Sequence, residues 1–176
     1  MKFFSKSEAI SVIIIFLVLI AVSWPNFAVS IRRARDQVRM DDIGNIQAAV
    51  EIYYTDNGFF PTSLPVWGQK WVSPVLGADK VSTDKIYINS IPNDPNSKIG
   101  TTYLYFSDGG RYQLFGAFEG LDEAGYDTKL AALGIKCGNK ICNFGRSYGI
   151  PLYDNLAEYD LKLYCGTHPS DVKCTK

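Results

Sequence analysis

The chain has 176 residues, with 18 basic and 18 acidic side chains that cancel and 47% apolar residues. Zero net charge argues against a protein held to nucleic acid by phosphate contacts, which needs a basic excess, so nucleic acid is not expected as a primary partner. A 14% aromatic content with this apolar share also excludes a disordered chain.

The first element is apolar without interruption by charge. Ala9 to Ile31 is a run of 23 uncharged residues, and 17 of the 21 in Ala9–Val29 are apolar. As a helix at about 1.5 Å per residue, that run reaches roughly 35 Å, enough to cross a hydrocarbon layer of about 30 Å. Apolar residues then recur at helical spacing through Ile31, Ala34, Val38, Ile43, Ile46, Ala49, Val50 and Tyr53. Asp56-Asn57-Gly58 followed by Pro61 supplies the stop. The spacing predicts one helix from about residue 5 to 56, whose first half projects from whatever its second half packs against. Pro25, lacking an N–H, predicts a kink or local melting. Arg32, Arg33, Arg35 and Arg39 interleave with Asp36, Asp41 and Asp42 beyond the run. They read as a solvated helix face, or as partners in intersubunit or i,i+3/i+4 pairs.

From Pro61 to Ser97 five prolines and many small residues predict a connecting loop with at most a short helix or strand. Strands are predicted at Lys85–Ile91, Thr101–Ser107 and Arg111–Phe118, the last two joined by a turn at Asp108-Gly109-Gly110. Beyond Glu119, Gly-rich turns alternate with short apolar pieces. The four cysteines, Cys137, Cys142, Cys165 and Cys174, all fall in this last part. An even count behind a membrane segment reads as disulfides in an exported domain. Of three possible connectivities, the sequential one is expected, Cys137–Cys142 with Cys165–Cys174. Reduced thiols in a cytosolic protein, or a zinc site with His168, are the alternatives, although C-x4-C and C-x8-C do not match zinc-knuckle spacing.

Through Phe4, Glu8 and Pro25, the run Tyr53–Pro61, and the pieces Ile91–Pro95, Tyr103–Tyr105 and Tyr112–Leu114, residues 4–118 resemble the type IV pilin and type II secretion pseudopilin superfamily. Phe4, Glu8 and Pro25 fall in the register of that family's aromatic first residue, its glutamate four positions on and its proline 17 beyond. Tyr53-Tyr54-Thr55-Asp56-Asn57-Gly58-Phe59-Phe60-Pro61 looks like the helix end of bacterial pilin-like proteins. Ile91-Pro92-Asn93-Asp94-Pro95, Tyr103-Leu104-Tyr105 and Tyr112-Gln113-Leu114 are similar to the first strands of the pseudopilin head. The resemblance implies an α+β fold: a long N-terminal helix packed by its second half on a small antiparallel sheet, with a disulfide-stapled C-terminal region. It divides the chain into a membrane and assembly segment, 1–31, and an extracytoplasmic head, 32–176. It implies a structural subunit of a helical homo-oligomeric filament, served by pilus or secretion machinery and anchored in the cytoplasmic membrane by a single span. Phe4, Glu8 and Pro25 would be its assembly residues, with Glu8 paired to the N-terminal amine of a neighbouring subunit. Leader cleavage would fall between Phe3 and Phe4, where the family has a small residue, nearly always glycine; Phe3 departs from that pattern.

Two other readings come from different classes. Lys2 and Lys6, the apolar stretch Ile10–Val22 and the small-x-small site Ala28-Val29-Ser30 fit a secretory signal peptide, whose removal would release a soluble disulfide-containing binding domain. A single-pass anchored adhesion or sensor domain fits the same span. Four arginines follow the run and two lysines precede it, so counting by the positive-inside rule places the C-terminal side in the cytoplasm. The cysteines and the resemblance place it outside.

No enzyme is expected, since one histidine leaves no Ser-His or Cys-His arrangement, and no phosphate or dinucleotide loop follows a strand. No cofactor or metal is expected. Asp122, Glu123 and Asp127, or Asn93, Asp94 and Asn96, offer hard oxygens for calcium but lack the EF-hand spacing and read as solvated turns.

Overall fold

A computed structural model describes residues 6–76 and 82–154. Phe3, Phe4, Cys165, His168 and Cys174 lie outside the described residues. Helix α1 runs Lys6–Asn57 as one 52-residue element, about 78 Å long. It continues through Pro25, so of the kink or local melting expected there the melting is absent. It ends where predicted. Gly58 takes φ +77° and donates its N–H to Tyr54 O at 2.7 Å, closing the last turn in the left-handed region that glycine enters without cost.

The two halves of α1 differ in what surrounds them. Large apolar side chains from Ile10 to Phe27 are all 50–71% exposed. Further along, Asp36, Arg39, Ile43, Ile46 and Val50 are buried, and with half-buried Tyr53 they follow one stripe with steps of three and four.

That stripe packs on an antiparallel sheet of order β3-β4-β7, with β3 at Leu104–Ser107, β4 at Tyr112–Gly116 and β7 at Phe144–Tyr148. Central β4 is buried throughout. Its alternating side chains feed two cores. Tyr112 and Leu114 join Ile43, Ile46, Ala49, Val50, Phe60 and Ile91 against the helix, while Phe115 packs on the other face with Ala117, Leu130, Cys137 and Cys142. The predicted β3–β4 turn is present. Gly109 has φ +89°, and the Asp108 carboxylate accepts from the N–H groups of Gly110 and Arg111.

A second hairpin pairs β1 (Trp71–Leu76) with β2 (Ser82–Ile88). This corrects the loop expected over 61–97: Pro74 sits within β1, opposite Asp84. A two-stranded ribbon leaves one side of each strand free of ladder bonds, which is where proline is tolerated. The strand expected at Lys85–Ile91 begins three residues earlier and stops at Ile88. Ile91 turns inward instead and is 1% exposed, its N–H held by Gln69 O at 2.8 Å.

In the C-terminal part, helix α2 (Thr128–Ala132) and the short hairpin β5 (Lys136–Cys137) and β6 (Lys140–Ile141) cover the outer face of the sheet. Cys137 and Cys142 form a disulfide with a Cα–Cα distance of 5.1 Å, as the sequential pairing anticipated for that couple. The chain is therefore α+β: a long N-terminal helix, small antiparallel sheets and a disulfide. Sheet member β7 was not anticipated from sequence.

Candidate functional site: an exposed apolar stem and the ion-pair clamp at its base

The N-terminal half of α1 is one helix long and apolar enough to span a membrane. Its apolar residues occupy every side of the helix rather than one stripe, the pattern of a helix with no aqueous face. Glu8 lies in the first turns of this stem and is exposed, and Pro25 lies within it. Both sequence-predicted assembly residues that are described therefore fall on the stem, not in the head.

Where the stem meets the head, the arginine-rich segment folds against three stretches of distant chain. The solvated-face expectation is overturned for Asp36 and Arg39, which are 1% and 0% exposed, while Arg33 and Asp41 stay exposed as expected. Arg39 donates from Nε to Asp94 Oδ2 at 2.7 Å and from Nη2 to Asp94 Oδ1 at 3.1 Å, a two-pronged pair. Its Nη1 reaches Asp36 Oδ1 at 2.6 Å and Glu119 Oε1 at 2.9 Å. Asp36 then uses both oxygens on backbone, accepting from Glu119 N and Gly120 N at 2.9 Å each. Arg35 grips Glu119 through Nε and Nη2, at 2.8 and 2.6 Å. At the lower end, Asp122 pairs with both Arg32 and Arg33. Of these pairs only Asp36–Arg39 follows the i,i+3 spacing weighed from sequence.

Electrostatics follow from this geometry. The Arg35 bond, aided by Arg39, holds the Glu119 carboxyl down to about 2 against a partial burial that opposes it. Burial works against the Arg39 charge, yet its bonds to Asp94, Glu119 and Asp36 outweigh it and keep the guanidinium above its ordinary value. One turn on, burial raises the Asp42 carboxyl even though the Tyr103 hydroxyl donates to it at 2.7 Å. The buried core of this set, Arg39 with Asp36 and Asp94, is bonded on every side and fixes position, whereas Arg32 Nε at its lower end is buried without a hydrogen-bond partner.

Of the residues weighed for calcium, Asp94, Asn96, Asp122 and Asp127 are engaged elsewhere, while a buried Glu123 Oε1 has no hydrogen-bond partner. Asp94 holds Arg39 and the Asn96 N–H. Asp127 caps α2 by accepting from Lys129 N and Leu130 N, and takes the Tyr153 hydroxyl at 2.7 Å. Among the described residues no group of three or more His, Cys, Asp or Glu stands together as a metal site would require. Three open clefts beside the sheet and hairpins are lined by residues such as Tyr53, Trp71, Ile88 and Tyr105, and none of the three has an Asp, Glu, His, Lys, Arg or Cys in its wall.

Asp94, Glu119 and Asp122 were not recognised from sequence as clamp residues. A signal existed on one side: the stripe from Ile43 to Tyr53, extended backwards by fours and threes, lands on Arg39 and Asp36. No protein-family model, curated protein or solved structure matches this chain.

Proposed function

We propose that this chain is a pilin-like structural subunit, anchored by residues 9–31 and assembling into a helical filament by packing those residues in a common core. The observation that carries the reading is the single 52-residue helix, exposed and apolar in its first half and built into an α+β head in its second. Such a stem has only two favourable environments, lipid or other stems, because water leaves its apolar area unburied at about 25 cal/mol per Å². The clamp supports it as well, since ion pairs at the stem's base let force on the helix pass directly into the head.

The Cys137–Cys142 disulfide favours an exported head over a cytosolic one, and we give it more weight than the arginine count. In this reading Glu8 sets the register by pairing with a neighbouring subunit's amine. A carboxylate costs about 3 kcal/mol on insertion scales at a helix centre and less at the edge of the run, where Glu8 stands.

N-terminal sequencing and intact mass of protein from cell membranes and from a sheared surface fraction test the proposal. A chain starting at Phe4 and recovered in filaments supports it. A start at Ile31 overturns it in favour of a secreted binding domain, and an uncut chain that never polymerises leaves an anchored adhesion or sensor domain.

A further inference from the structure

Leu121 is the most exposed large apolar side chain among the described residues, at 77%. Isolated exposed leucines are common and signify nothing by themselves. This one differs in where its loop is tied down. The preceding residue, Gly120, donates its N–H to Asp36 and lies against Arg32, to which an added Cβ would come within 3.1 Å. The following residue, Asp122, pairs with Arg32 and with Arg33, the first charges after the 23-residue uncharged run. Leu121 is thus held beside the first turn and a half past the apolar run, between Arg32, about 1.5 Å beyond Ile31, and Asp36, about 7.5 Å beyond it.

The exposure of α1 changes at the same level. It is 50–71% for the large apolar residues up to Phe27 and falls to 41% at Val29 and 40% at Ile31, which marks the lower edge of the head. Arg32 is one residue beyond Ile31, an axial step of about 1.5 Å, whereas the headgroup layer on each side of a bilayer is about 5–8 Å deep. The side chain of Arg33, 61% exposed, has the long stem by which arginines near a span's end reach the lipid surface.

We infer that the 119–122 loop is a second membrane contact, in which Leu121 enters the headgroup–acyl boundary beside α1 while Asp122, neutralised by its two arginines, stays at the surface. The partner is the lipid bilayer surface itself. A helix alone leaves the head free to tilt; a second contact off its axis limits that tilt and presents the same side of every head to the membrane. This rests on the proposed span by residues 9–31, although not on filament assembly.

Hydroxyl-radical footprinting of the unaltered full chain tests it, in lipid nanodiscs loaded at one copy per disc. Val66 and Ile99, at 67% and 63% exposure, are the solvent references, and Phe16 in the stem is the membrane reference. The expected result is oxidation of Leu121 slowed roughly fivefold relative to both solvent references, as for a side chain held several Å into the interface, with Phe16 protected. Leu121 reacting like Ile99 while Phe16 stays protected overturns the loop contact and leaves the span intact. If Phe16 reacts freely too, the span fails and the loop contact fails with it. Protection of Leu121 that appears only at several copies per disc assigns the surface to a second copy and likewise overturns the inference.

Discussion

Arg39 and Asp94, 55 positions apart, meet as a two-pronged ion pair in which neither side chain has any solvent exposure. Asp94 belongs to the turn that leads into a short 3-10 segment at Ser97–Ile99, and Asn96 N donates to the same carboxylate at 2.7 Å. The pair therefore fastens the Ile91–Asn96 turn to the helix at the point where the stem becomes the head. Asn96 extends the connection by donating from Nδ2 to Glu119 at 2.7 Å, so two separate loops share one arginine.

Removing one partner of a fully buried pair strands the other charge, which costs about 3–5 kcal/mol. Asp94→Ala leaves Arg39 with Asp36 and Glu119, so a loss near the lower figure, about 3 kcal/mol, is expected. Arg39→Leu leaves three carboxylates facing each other and is expected to cost more. Urea unfolding of the detergent-solubilised full chain measures both. A loss under about 1 kcal/mol for Asp94→Ala would mean that the turn is held by its apolar neighbours and not by the pair.

Glu119 makes this junction sensitive to acid. Its carboxyl is held at about 2 in the fold, against an ordinary 4.5. A lowered acid stabilises the fold fully above the ordinary value, and that contribution disappears as pH falls from 4.5 towards 2. Allowing for screening, the loss is on the order of 2 kcal/mol. Asp42 has the opposite sign: burial raises its carboxyl, so its protonation on mild acidification favours the fold. Stability is therefore expected to hold or rise slightly from neutral pH downwards and then drop below 4.5. Glu119→Gln should be less stable at neutral pH and show a shallower acid limb; an acid limb identical to the parent's would remove Glu119 from this role.

These electrostatics were the least legible part of the sequence, and the reason is distance along the chain. Helix α1 could be read because Ile43, Ile46, Val50 and Tyr53 recur locally and Gly58 with Pro61 ends the pattern. The β3–β4 hairpin and the Cys137–Cys142 pair are local in the same sense. Asp36 and Arg39 looked like solvated helix charges because, apart from each other, their partners lie 55–84 residues away. Strand β1 was hidden by Pro74, which breaks a central strand but not a two-stranded ribbon. Strand β7 was hidden by Gly145, required because Leu114 O would lie 2.5 Å from any Cβ there.

Two glycines of the C-terminal region separate backbone conformation from packing. Gly134 and Gly138 have φ of +70° and +72°, but only Gly138 is hemmed in, with Gly100 O just 1.9 Å from where a Cβ would stand. Gly134→Ala is expected to cost about 1 kcal/mol, the left-handed penalty alone. Gly138→Ala must also displace backbone at the Thr101–Gly138 bridge, and a loss of more than about 3 kcal/mol is expected. Thermal unfolding of the two variants side by side gives the comparison, and equal losses would show that the Gly100–Gly138 approach relaxes freely.

The Cys137–Cys142 bond closes a short loop, with a sequence separation of 5. Loop-closure entropy then limits its contribution to about 2 kcal/mol. Both cysteines are fully buried beside Leu130 and Phe115, so access as well as oxidation protects them. Alkylation of the folded chain is accordingly expected to spare both positions whether or not reductant is present, and to reach them only when reductant and denaturant are combined. Denaturant alone separates the two causes: no labelling at Cys137 and Cys142 identifies the disulfide, whereas labelling at both shows that burial was the only protection. The double variant Cys137→Ala/Cys142→Ala should still fold, less stable by about 2 kcal/mol, because the β5–β6 hairpin keeps its Cys137–Lys140 pairing through backbone atoms that the substitution leaves in place.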